Sequence, residues 1–106
     1  MSSDNPAEPL SNREVDLALR NLRGWNRQDG GLHRRFRLAS FPDAIRFVND
    51  VARLAEDAGH HPNIDIRYRN VTLFLTTHDA GGITELDVQL ARRMADLAAG
   101  LGGTPA

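Results

Sequence analysis

A chain of 106 residues, 41% of them apolar and with a formal net charge of −1, is long enough for one domain with its own core. Its near balance of charge argues against a global field for nucleic acid or for an anionic membrane surface. Cysteine is absent, which removes disulfides and thiolate chemistry from consideration and suits a cytoplasmic protein.

Met1–Pro9 carries Pro6 and Pro9 and no periodic apolar pattern. It is expected to be a disordered tail without the basic-then-apolar order of a secretory signal. One domain over residues 10–100 follows, and residues 101–106 are expected to be a second, flexible tail. No apolar run approaches the ~20 residues needed to cross a bilayer, so no membrane is expected as a partner.

Ser11-Asn12-Arg13-Glu14 has the form of a capping box, with Leu10 and Val15 placed as a hydrophobic staple. The helix it opens is predicted to run to about Arg23, with Val15, Ala18, Leu19 and Leu22 on one face and Gly24 as its stop. Asp29-Gly30-Gly31 then separates Trp25–Gln28 from Leu32–Leu38, the pattern of a tight hairpin. In the second of these strands Leu32, Phe36 and Leu38 oppose His33, Arg35 and Arg37. Arg34 interrupts the apolar side, which suggests that part of that face lies near an edge. Arg34, Arg35 and Arg37 are the densest basic patch, read as a solvated strand face in preference to a phosphate-binding patch.

Ser40-Phe41-Pro42-Asp43 starts a second helix, since proline is tolerated in a first turn whose amides are unpaired anyway. Ala44, Phe47, Val48, Val51, Ala55 and Ala58 recur at intervals of three and four, and Gly59 ends the pattern. Ile64, Ile66 and Tyr68 alternate with Asp65, Arg67 and Arg69 as a half-buried strand, and Asn70 marks the turn. Val71 to Thr77 returns, with Val71, Leu73 and Leu75 on one side and Thr72, Phe74, Thr76 and His78 on the other. Thr84-Glu85-Leu86-Asp87 is a second capping box, with Ile83 and Val88 as its staple. The last helix buries Leu90, Ala91, Met94, Leu97 and Ala98.

The order αββαββα defines an α+β fold, a four-stranded antiparallel sheet with three helices packed on one face. A sheet this small has edges that must be covered or paired, so a homo-oligomer is expected.

Three of the four histidines fall between Glu56 and Asp87. Glu56 precedes His60-His61-Pro62, and Tyr68, His78 and Asp87 follow. Proline disfavours helical backbone in the residue before it, so the histidine pair is presented from a turn. This spaced set resembles the signature of the pterin-4a-carbinolamine dehydratases: an acidic residue, three residues, His-His-Pro, an aromatic, a later His and a later Asp. Leu22, Gly24 and Trp25, Thr76-Thr77-His78-Asp79, and Leu86-Asp87 with Leu90-Ala91 extend the resemblance from about Leu10 to Ala98. After Pro62 the family often has a bulky aromatic, where this chain has Asn63-Ile64-Asp65. That departure bears on the rim of the pocket more than on its acid–base groups.

The resemblance implies dehydration of 4a-hydroxytetrahydrobiopterin to the quinonoid dihydropterin, which recycles the pterin cofactor of aromatic amino acid hydroxylases. It implies no metal, nucleotide or redox cofactor, and a homo-oligomer that is a dimer or a tetramer. A hydroxyl must leave carbon while the neighbouring N5 loses a proton, and imidazole suits both proton transfers because it titrates near working pH. Carried over residue by residue, His60 and His78 are the acid–base histidines and His61 holds and orients the pterin. Glu56 is placed to bond an imidazole or the pterin's amino edge, and Trp25 and Tyr68 are candidates for an apolar wall. Asp87 combines a capping position with a site role. His33 lies outside the motif and is expected to be solvated.

Two other readings compete. Three histidines and a carboxylate suit zinc, but neighbouring side chains in an extended turn point apart, which makes joint ligation by His60 and His61 awkward. The second is a non-catalytic dimerisation or assembly module, because relatives of this fold include a dimerisation cofactor for a transcription factor and an assembly chaperone. Retention of all three histidines with Glu56 and Asp87 favours the enzyme.

Overall fold

A computed structural model describes residues 8–102 and 104–105. Seven of the nine residues in the expected N-terminal tail lie outside the described residues, as do Gly103 and Ala106 of the expected C-terminal one. Helix α1 spans Asn12–Leu19, followed by strands β1 (Asn26–Gln28) and β2 (Gly31–Arg37). Helix α2 spans Phe41–Ala58, then come β3 (Asn63–Arg67), β4 (Asn70–Leu75) and α3 (Glu85–Gly100). The sheet runs β1-β2-β4-β3, antiparallel throughout. A two-residue strand β5 (Thr104–Pro105) adds to β2, pairing Thr104 with Arg37 and Pro105 with Phe36.

Local chemistry sets the helix starts. Ser11 Oγ accepts the Glu14 amide at 3.1 Å while Glu14 Oε1 accepts the Ser11 amide at 2.8 Å, so two otherwise orphaned donors are satisfied. The Leu10 amide reaches Ile83 O at 2.8 Å and ties this entry to the segment ahead of α3. Helix α1 ends earlier than its periodicity suggests. Arg20, Asn21 and Leu22 donate three residues back instead of four, tightening the last turn so that Leu22 and Trp25 both enter the core.

The core lies between the sheet and the helices. Leu32, Phe36, Leu38, Val71, Leu73 and Leu75 face inward from the strands, against Val15, Ala44, Phe47, Val51, Ala91 and Met94 from the helices. Phe36 is the hub. Its ring meets Trp25 edge-on at 5.9 Å and Phe47 at 4.9 Å, separations favoured for aromatic pairs.

Three local expectations are corrected. Arg34 does not mark an edge: β2 is an interior strand, and Arg34 is buried with its guanidinium 4.1 Å above the Phe36 ring. Gly24 makes room for it, since a Cβ there would come within 2.8 Å of Arg34 Nε. Burial pushes the Arg34 guanidinium below its ordinary pKa. Strand β3 is exposed along its whole length instead of half-buried. Ile64 and Ile66 share the inward register of Leu73 and Val71, but β3 is the outer strand and the helices leave it uncovered. The turn after β3 is made by Tyr68 and Arg69, with Tyr68 at φ 55°, and Asn70 already belongs to β4.

Replacing Phe36 with Ala should therefore cost about 3–5 kcal/mol, the range for truncating a fully buried aromatic. Urea denaturation of the two proteins, with the slope checked for constancy, measures it.

Candidate functional site

Gly59, at φ 64°, caps α2 in the left-handed region that glycine tolerates best. The backbone then reverses, with the His60 amide donating to Ala55 O at 3.1 Å. This reversal delivers His60 and His61 to the open end of the β3–β4 hairpin, where β4 runs out and His78 begins a short 3₁₀ turn to Ala80. Gly59, His60, His61, Thr76, Thr77, His78 and Asp79 line one cleft of about 280 Å³.

The three histidines are held differently. His60 is largely buried and its Nε2 lies 2.6 Å from Asp87 Oδ1. Asp87 is wholly buried and accepts two further bonds at Oδ2, from Thr77 Oγ1 at 2.8 Å and from the Thr84 amide at 2.9 Å. A buried carboxylate must be met by donors in this way to persist. Thr77 Oγ1 also lies 2.9 Å from Thr84 Oγ1. A hydroxyl has one proton, so if Thr77 gives its proton to Asp87, Thr84 supplies the one between the threonines. The Thr84 oxygen then accepts the Leu86 amide at 3.2 Å. His61, by contrast, is exposed and meets the exposed Glu56 through Nε2 at 2.9 Å. His78 is exposed and lines the same cleft.

With Asp87 ionised, the bond to Oδ1 makes Nε2 the protonated nitrogen of His60 and leaves Nδ1 for exchange with a bound molecule. The carboxylate is also placed to compensate positive charge that the ring acquires on taking a proton. Among the described residues, no group of three or more His, Asp and Glu side chains converges as a metal site, and no helix is long and apolar enough to cross a membrane.

Of the residues singled out in the sequence, His60, His61 and His78 come together. Glu56 joins through His61, and Asp87 stands behind His60, out of reach of the cleft. Trp25 and Tyr68 do not line this cleft. Trp25 is buried against Phe36. Tyr68 sits at the closed end of the hairpin, separated from the histidines by the five residues of β3, on the order of 16 Å at strand rise. Sequence reasoning missed Thr77 as a site residue. The available signal was its place in the inward register of Val71, Leu73 and Leu75, where a hydroxyl needs a buried partner.

An antiparallel sheet backed by three helices, with an imidazole–carboxylate pair at the end of one hairpin, defines a small α+β domain. Known proteins place it more narrowly. The family model for pterin 4 alpha carbinolamine dehydratase matches residues 8–97. A Roseiflexus sp. (strain RS-1) protein provisionally named a pterin-4-alpha-carbinolamine dehydratase is 54% identical over 91 residues, 86% of this chain and 98% of that one. A similarly named Mycolicibacterium smegmatis protein is 54% identical, over 80% of this chain and 90% of its own. The crystal structure of a transcriptional coactivator/pterin dehydratase from Brucella melitensis is similar, with TM-score 0.83 and 36% identity, covering 86% of this chain and 99% of that one. A pterin dehydratase-like protein identified as a RuBisCO assembly factor in the alpha-carboxysome superposes with TM-score 0.59 at 27% identity, covering 70% of this chain and 86% of its own. The chain belongs to the pterin-4a-carbinolamine dehydratase family.

The carboxylate network makes a direct prediction. Thr77→Val keeps the shape but leaves Asp87 short of a donor, and should destabilise the fold by about 1–3 kcal/mol. Thr77→Ser, which restores the hydroxyl, should recover most of that loss in thermal denaturation.

Proposed function

We propose that the protein dehydrates 4a-hydroxytetrahydrobiopterin to the quinonoid dihydropterin, and so returns pterin cofactor to an aromatic amino acid hydroxylase. The observation that carries this reading is the convergence of His60, His61 and His78 on one cleft, with His60 locked by Asp87. In the reaction the C4a–O bond breaks, a proton from a general acid leaves with the oxygen as water, and N5 gives its proton to a base as the C4a=N5 bond forms. His60 is the better candidate for the base, because Asp87 fixes its tautomer and frees Nδ1. His78, exposed in the same cleft, is then the acid. His61, steadied by Glu56, holds the ring. The pterin is the only small molecule the chemistry needs.

Self-association belongs to the same proposal. Strand β3 is an outer strand whose Ile64 and Ile66 are 37% and 40% exposed, and unpaired strand edges invite a partner. We expect a dimer or tetramer in solution. Light scattering at micromolar concentration that returns the mass of a single chain would contradict this.

The relatives described as a coactivator and as an assembly factor, together with that exposed strand, favour a second reading in which the fold serves assembly alone. Kinetics separate the two. His60→Ala and His78→Ala should each lower kcat by ~100-fold or more, the usual scale of general acid–base catalysis. His61→Ala should raise KM more than it lowers kcat. Rates are followed as breakdown of 4a-hydroxytetrahydropterin, corrected for the uncatalysed reaction. Equal small effects at all three positions, or a wild-type protein no faster than buffer, would leave the assembly reading standing.

A further inference from the structure

A second cleft lies on the sheet face turned away from the helices. It measures about 270 Å³ and is lined by His33, Arg35, Asp65, Arg67, Asn70 and Thr72. Strand register explains how these residues meet. Arg35, Thr72 and Asp65 stand in one row across β2, β4 and β3, and Arg37, Asn70 and Arg67 in the next. Arginines on β2 and β3 thus flank a floor made by β4, two strand spacings apart, or about 9.6 Å between backbones. Two long side chains reaching inward across that gap can clamp one oxyanion between them.

The arrangement is partly pre-set and partly unsatisfied. Asp65 Oδ1 holds Arg67 at Nε, 3.2 Å away, which steadies the guanidinium and leaves its two terminal nitrogens free to face a ligand. Two arginines against one aspartate leave the lining net positive. Buried polar atoms in native structures are nearly always paired, yet His33 Nδ1 and Asn70 Oδ1 are buried with no partner among the described residues. Both residues line this cleft. Each atom is covered as it stands, so a ligand reaches it only after a side-chain turn; Asn70 Oδ1 then calls for a donor such as a hydroxyl.

We propose that this cleft binds a small phosphate ester, with Arg35 and Arg67 on the phosphate oxygens and a ligand hydroxyl on Asn70 Oδ1. The site is separate from the histidine cleft. Thr72 and Thr76 are four residues apart on the same strand line, ~13 Å at strand rise. The Phe74 ring intervenes, packed so closely over Gly31 that a Cβ there would lie 2.5 Å from its Cζ. The size of the cleft suits a compact ligand better than a polymer.

The test is an amide chemical-shift titration of the labelled full-length protein with ribose 5-phosphate, with ribose as control. Saturable shifts confined to the strand residues around Arg35, Asp65, Asn70 and Thr72 are expected, with none from ribose. Arg35→Gln and Arg67→Gln should each weaken binding by ~10-fold or more, the scale of a lost charge-assisted hydrogen bond. Both positions are exposed, so the variants' unperturbed spectra report an intact fold. Three outcomes would overturn the site: no saturable shift, ribose matching ribose 5-phosphate, or variants binding as tightly as the parent. A short DNA duplex that binds more tightly than ribose 5-phosphate and shifts the whole sheet face would also overturn it, in favour of a nucleic-acid surface. Dehydratase activity does not enter the readout, so failure here and failure of the proposed reaction are distinguishable.

Discussion

A carboxylate with no access to water has to be surrounded by donors, and Asp87 draws them from three parts of the chain. His60 comes from the exit of α2, Thr77 from the end of β4, and the Thr84 amide from its own capping box. Any one bond could be replaced by water at a surface, but not in the core, where an unmet charge costs several kcal/mol. The fold therefore has to bring the end of a helix, the end of a strand and the start of another helix to one point. That point is the wall of the histidine cleft. Structure and site depend on the same group.

The two neighbouring histidines are held in different ways, which their proximity in sequence conceals. His60 and His61 are neighbours, yet one is fixed by a buried carboxylate and the other is tethered to an exposed glutamate. Exposed ion pairs hold little free energy, so His61 can adjust to what it touches while His60 cannot. Gly59 allows the contrast, because a left-handed residue at the helix end turns the two side chains out of a common helical face.

Much of this was legible from spacing alone. Both capping boxes form from the residues their pattern named, and the alternation of Val71, Leu73 and Leu75 against Thr72 and Phe74 gives the observed faces of β4. Local signals carry such features, so sequence suffices. Features set by tertiary position were not legible. Ile64 and Ile66 have the right period for a buried face, but period does not say whether a helix lies above the strand. Arg34 reads as an interruption until Phe36 and Gly24 are placed around it. Tyr68 shows no turn chemistry, and its positive φ is imposed by the two-residue connection between β3 and β4.

The open face of the sheet raises the same question of polar groups and their partners. On the inner face Arg34 rests on the Phe36 ring, while its Nε and Trp25 Nε1 have no hydrogen-bond partner among the described residues. On the outer face, His33 Nδ1 and Asn70 Oδ1 likewise have no partner among the described residues, and there the two residues line a cleft. Leaving two such groups unmet between two arginines is costly unless something else meets them. Charge adds to the argument. The carboxylates of α2 and α3 lie on the helical side, whereas Arg35, Arg37 and Arg67 project from the strands against Asp65 alone. A molecule with almost no net charge can thus present one cationic face, and an anion approaching the protein is drawn there by local geometry even though the overall field is weak.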